Sequence, residues 1–136
     1  MGFERTTPLL LAALAVSHAA VFAAEPLVCN VNALSPAERD RHLALGQELK
    51  SAVARVAELP DGYEMTLDFK KMGLDARGLP YCVVEVAQWV DLESRCCPFV
   101  DFGIELKGKD RLVTLRLTGG PEVKDFLKTE LGLVRP

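Results

Sequence analysis

Residues 83–106 read VVEVAQWVDLESRCCPFVDFGIEL, and the apolar period changes inside this stretch. Before Pro98, Val83, Val86, Ala87 and Val90 recur at helical spacing, which predicts an amphipathic helix with Pro80 near its start. After Pro98, Val100, Phe102, Ile104 and Leu106 alternate with Asp101, Gly103 and Glu105, the period of a strand with one wet face. Proline lacks the amide proton that a helix uses and disfavours helical geometry in the residue before it. The helix therefore has to stop at the Cys96–Cys97 pair. A helix feeding straight into an amphipathic strand predicts a layered domain of mixed type.

The flanking segments supply the other elements. Ser35-Pro36-Ala37-Glu38 is a helix start, with a capping serine, proline at the first position and glutamate at the third. Leu45, Leu49, Val53 and Val56, with Ala52 beside them, extend that helix to Pro60, and Gly46 weakens it by about 1 kcal/mol relative to alanine. Pro60-Asp61-Gly62 is a turn signal, after which Tyr63, Met65, Leu67 and Phe69 alternate with Glu64, Thr66 and Asp68 as a strand. A glycine-punctuated loop, KKMGLDARGLP, leads to the central helix.

Beyond the second strand, Lys107-Gly108-Lys109-Asp110 turns the chain and Val113, Leu115 and Leu117 face inward from a third. Gly119-Gly120-Pro121 opens a last helix with Val123, Phe126, Leu127 and Leu131 on its apolar side. The expected fold is a two-layer α+β domain of order α-β-α-β-β-α. Its three-stranded, mainly antiparallel sheet carries helices on one face, with the third strand inserted between the first two, like a truncated ferredoxin-like fold. Glu64, Asp68, Asp101 and Glu105 fall on the polar sheet face, where Arg116 can pair with one of them.

The 136 residues fit one domain. The start, MGFERTTPLLLAALAVSHAAVFAAEP, has a charged beginning, a short apolar run and small residues near Ala23 and Ala24. This is the layout of a secretory signal peptide. It predicts a leader over 1–23, cut after Ala23 or Ala24, and a single domain over 24–136 that is periplasmic or secreted. Val28 directly before Cys29 argues against a lipid-modified cysteine. The net charge of −3 and the lack of a basic stripe argue against nucleic-acid binding, and no polybasic segment suggests a membrane surface after leader removal. Metalloprotease, serine-elbow and phosphate-loop motifs are absent, so no conventional enzyme signature stands out.

The cysteines carry the chemistry. Cys82 and Cys96 lie at opposite ends of the predicted helix, roughly 20 Å apart at 1.5 Å per residue, so Cys82 belongs to no common site and reads as a small buried hydrophobe. Cys96 and Cys97 sit in the last turn, where the negative end of the helix dipole, offset only in part by Arg95, disfavours a thiolate. That argues against thiol-disulfide redox catalysis. A soft metal ion displaces the thiol proton itself and has no such requirement. Adjacent cysteines diverge on a regular helix, but the break at Pro98 allows both sulfurs to turn toward one ion.

Copper(I), zinc or another thiophilic ion is the cofactor such a pair selects, with Cys29, Glu93 and His42 as further ligand candidates. Each has a plainer reading. His42 falls on the inward stripe as a hydrogen-bonded core residue, Glu93 as a solvated or arginine-paired side chain, and Trp89 and Phe99 as core aromatics. In an oxidising compartment Cys29 can instead bond to Cys96 or Cys97, making the domain a disulfide-stabilised structural or interaction module with an unknown protein partner. A Cys96–Cys97 bond would close a strained eight-membered ring and ranks below both.

LPDGY (59–63), Trp89 with Leu92-Glu93 and CCPF (96–99), and LRLTGGPEVKDFL (115–127) together resemble a family of small bacterial proteins marked by a Cys-Cys-Pro-Phe motif. The resemblance covers nearly all of the chain beyond the leader, including CNVNAL at Cys29. It implies one continuous domain and carries no activity with it.

Overall fold

The computed structural model describes residues 27–75 and 77–132. The leader predicted over 1–23 lies outside the described residues. Among the described residues the chain forms α1 (Pro36–Ala52), β1 (Val53–Leu59), β2 (Gly62–Leu67), α2 (Val83–Cys96), β3 (Asp101–Lys107), β4 (Leu112–Thr118) and α3 (Pro121–Glu130). Single 3-10 turns at Val31–Ala33 and Phe69–Lys71 flank α1 and follow β2. The strands make one antiparallel sheet in the order β1-β2-β4-β3.

The domain is α+β, and β4 lies between β2 and β3 as the sequence suggests, but the sheet has four strands instead of three. The added strand is β1. Val53 and Val56 were expected to continue the first helix to Pro60; instead α1 stops at Ala52 and Val53–Leu59 doubles back on β2. The physical reason is the turn. Pro60-Asp61-Gly62 closes a hairpin in which Leu59 faces Gly62, and the β-branched Val53 and Val56 fit a pleated edge at least as well as a helix. A register shift between Val53 and Arg55 absorbs the passage from helix to strand.

The start of α1 follows its sequence signal. Ser35 Oγ accepts the Glu38 amide at 3.3 Å, and Glu38 returns to the Ser35 amide at 2.8 Å. Leu45, Leu49 and Ala52 are buried, and α1 packs on α2. At Gly46 a side chain would begin 3.4 Å from Trp89 Nε1, so the glycine that weakens the helix lets the Trp89 ring approach.

The sheet's apolar face carries Tyr63, Met65 and Leu67 from β2 and Val113, Leu115 and Leu117 from β4, all buried. On the other face Arg116 donates to Glu64 at 2.7 Å and to Glu105 at 3.2 Å, so it pairs with two carboxylates where one was expected. Asp68 leaves the strand and caps the Phe69–Lys71 turn, its side chain accepting the Lys70 amide.

Several inward assignments need correction. In β3, Phe102, Ile104 and Leu106 stand opposite Leu117, Leu115 and Val113, yet Ile104 and Leu106 are 38% and 41% exposed. The alternation is right, but β3 is an edge strand whose far end is left uncovered. In α2 the buried stripe is Glu85, Val86, Trp89, Leu92 and Cys96, while Ala87 is exposed. Val86 is buried and Val83 and Val90 pack half-buried against the core as the spacing predicts, so the departure is confined to Ala87. Glu85 tolerates burial because it accepts the Cys82 amide at 2.9 Å and an Arg77 guanidinium hydrogen at 3.0 Å. Cys82 is the half-buried N-cap of α2 instead of a core residue, and Pro80 precedes the helix, pairing in a short bridge with Leu74.

Gly62 tests the β2–β4 register. A Cβ there would overlap the Leu117 carbonyl, because Gly62 sits opposite Thr118 with no room for a side chain. Gly62→Ala is expected to destabilise the domain by about 2–4 kcal/mol, read as a lower denaturant midpoint. An unchanged midpoint would refute this close approach.

Candidate metal centre

The site is built at the C-terminal end of α2. Cys96 is the last helical residue, and Cys97 still donates its amide to the Glu93 carbonyl at 2.7 Å. The backbone then leaves the helix at Cys97, with φ −122° and ψ 67°, as the residue before a proline tends to do. On a continuing helix neighbouring side chains point about 100° apart. Here the departure brings Cys97 Sγ to 3.7 Å from Cys96 Sγ. The sulfurs of the pair converge.

The N-terminal arm closes over them. Asn30 donates its amide to the Cys96 carbonyl at 2.8 Å, filling one of the acceptors that a helix end leaves open. The Asn30 side chain in turn accepts the Asn32 amide, which starts the Val31–Ala33 turn, and Leu34 is buried in the core. This anchoring lays Cys29 beside the pair, where it is disulfide-bonded to Cys97 with Cα atoms 4.7 Å apart and a sequence separation of 68. Cys96 keeps a free thiol and is 1% exposed.

Glu93 lies one turn before Cys96. One of its carboxylate oxygens is 3.9 Å from Cys96 Sγ and also pairs with His42 Nε2 from α1. The His42 ring stacks on Trp89, with centroids 6.1 Å apart and planes inclined by 9°. Among the described residues, Cys29, Glu93, Cys96 and Cys97 place one potential ligand atom each within 4.8 Å of the others. His42 is not in that group; it reaches the Glu93 carboxylate instead. Glu93 pairs with this histidine, while Arg95 turns to Glu38 at 2.7 Å. A cavity of about 370 Å³ borders the centre, with Val31, Leu43, Trp89 and Phe126 among its walls. Phe99 packs edge-to-face on Phe126, 5.0 Å between centroids.

Electrostatics keep Cys96 protonated. Burial pushes its thiol up from the ordinary value, the Glu93 carboxylate pushes it further, and Arg95 opposes them weakly. Sequence reasoning reached the sulfurs but not Asn30, whose role depends on where the arm lands. The Asn-X-Asn spacing of Asn30 and Asn32 was the available signal of a local turn.

Two consequences can be measured. Glu93→Gln removes the neighbouring negative charge, so the Cys96 midpoint for thiolate formation should fall, though burial will keep it above that of an exposed cysteine. The pH dependence of alkylation in the folded protein reads this directly, and an unchanged midpoint would show that the carboxylate does not act on the thiol. The raised value also links to folding. Its contribution to stability is full below the ordinary thiol value of 9.0 and is lost as pH rises through the higher folded value. Comparison with protein-family models, curated proteins and solved structures found no match.

Proposed function

We propose that this is an exported domain that captures a thiophilic metal or metalloid ion, copper(I) and zinc being the nearest fits, once its disulfide is reduced. The observation that carries the reading is the convergence of three sulfurs and one carboxylate oxygen within 4.8 Å. Two sulfurs on one tetrahedral zinc stand about 3.8 Å apart for bonds near 2.3 Å. The Cys96 and Cys97 sulfurs are already 3.7 Å apart. Cys29, Cys96 and Cys97 would hold the ion, with Glu93 as the harder fourth donor and His42 orienting that carboxylate from behind. The ion displaces the Cys96 proton, so a raised thiol value makes uptake pH-dependent without forbidding it.

While Cys29 and Cys97 are bonded to each other they cannot both be ligands, so capture is gated by reduction. The disulfide supports an oxidising compartment, in line with a periplasmic or secreted location. We read the β2-α2-β3-β4-α3 run as the ferredoxin-like part of the fold, with β1 filling the edge beside β2. Kinship with the small bacterial Cys-Cys-Pro-Phe proteins is part of the same proposal, because that motif supplies both the pair and the break that turns it.

The bond from Cys29 to Cys97 and the Asn30–Cys96 hydrogen bond favour a second reading, a stapled structural or interaction module without ligand chemistry. Measurements separate the two. Reduced anaerobically, the protein should take up one equivalent of copper(I) or zinc and the oxidised protein none; Ser at both Cys96 and Cys97 should abolish uptake. Unchanged stoichiometry in that double variant rules the centre out. A staple alone predicts no uptake in either state. Under both readings, Cys29→Ser should lower stability by about 2–4 kcal/mol in thermal or denaturant unfolding.

A further inference from the structure

The three sulfurs of the centre differ in what can reach them. Cys96 and Cys97 are 1% and 0% exposed, whereas Cys29 is half-buried on the arm. The adjoining cavity has Cys29, Cys96 and Cys97 in its wall, together with Val31, Trp89 and Phe126, and of the three sulfur-bearing residues only Cys29 is more than 1% exposed. At about 370 Å³ it has room for a small organic molecule.

We propose that Cys29 is a thiol-exchange site, the sulfur at which a low-molecular-mass thiol enters and opens the disulfide. Exchange proceeds by attack of a thiolate on one sulfur of the bond, with the other sulfur leaving. Both sulfurs of the bond border the cavity, but Cys97 is 0% exposed and Cys29 is half-buried, so an external sulfur meets Cys29 first. The incoming thiolate bonds to Cys29 Sγ and the Cys29–Cys97 bond breaks. Cys97 leaves with the electron pair and takes up one proton from solvent. The product carries a mixed disulfide on Cys29 and two thiols, Cys96 and Cys97, whose sulfurs are 3.7 Å apart in the oxidised protein. A single monothiol thus frees the buried pair while capping the third sulfur.

This deepens the metal-capture reading by naming what unlocks the pair, but the direction of opening stands or falls separately. The test uses the oxidised full chain and limiting 2-mercaptoethanol, followed by acid quenching, alkylation under denaturing conditions and tryptic mapping. The mercaptoethanol adduct is expected on the peptide ending at Arg39, which contains Cys29, with Cys96 and Cys97 both alkylated on the peptide 96–107. An adduct on 96–107 with Cys29 alkylated overturns the proposal, and so does a new Cys29–Cys96 bond. Cys96→Ala should give the same Cys29 adduct; its loss there would show that Cys96 relays the exchange, which also overturns direct entry. The readout is which sulfur carries the adduct. Failed metal uptake would leave this result standing, and the wrong adduct would leave metal uptake unaffected.

Discussion

The centre depends on the backbone of one residue. Cys97 keeps its helical hydrogen bond to Glu93 yet departs from helical dihedrals, a departure that Pro98 favours by disfavouring helical geometry in the residue before it. Two thiols that a regular helix would send apart are thereby brought side by side. The same break frees the Cys96 carbonyl to receive Asn30, so it also determines where the N-terminal arm attaches. Helix end, disulfide and cluster are consequences of one local constraint.

The electrostatic setting then separates possible chemistries. The sulfurs sit at the negative end of α2, beside a largely buried carboxylate, and the free thiol is pushed up by burial and by that charge. Such surroundings are poor for a resting nucleophile. They cost a soft cation little, because the cation brings its own positive charge and finds Glu93 already in place. His42, stacked on Trp89, fixes the carboxylate from the outer side as supporting groups do around metal ligands.

Much of this was legible in residues 83–106 alone, because the change of period and the proline act locally. The capping box, β2, β4 and α3 were likewise carried by nearby residues. Segment 53–59 was not, since its valines satisfy a helical spacing as well as a strand, and only the hairpin partner decides between them. Which thiol of the pair bonds Cys29 was also hidden, as it depends on dihedral angles at Cys97. The His42–Glu93 contact joins two helices 51 residues apart in sequence, and neither residue's neighbours announce it. In α2, Val83, Val86, Val90 and Trp89 face the core as expected, and only Ala87, on the edge of that stripe, was misread.

The long span of the staple has a consequence for biosynthesis. A ribosome completes the chain from its N-terminus, so Cys29 exists as a lone thiol well before Cys97, 68 positions later, has been made. The first possible mate to emerge is Cys82, at the wrong end of α2. Correct oxidation therefore has to wait until nearly the whole sheet can assemble, or else undo an early mismatch. A catalyst that oxidises thiols as they emerge would trap this chain in the wrong pairing unless an isomerase followed it.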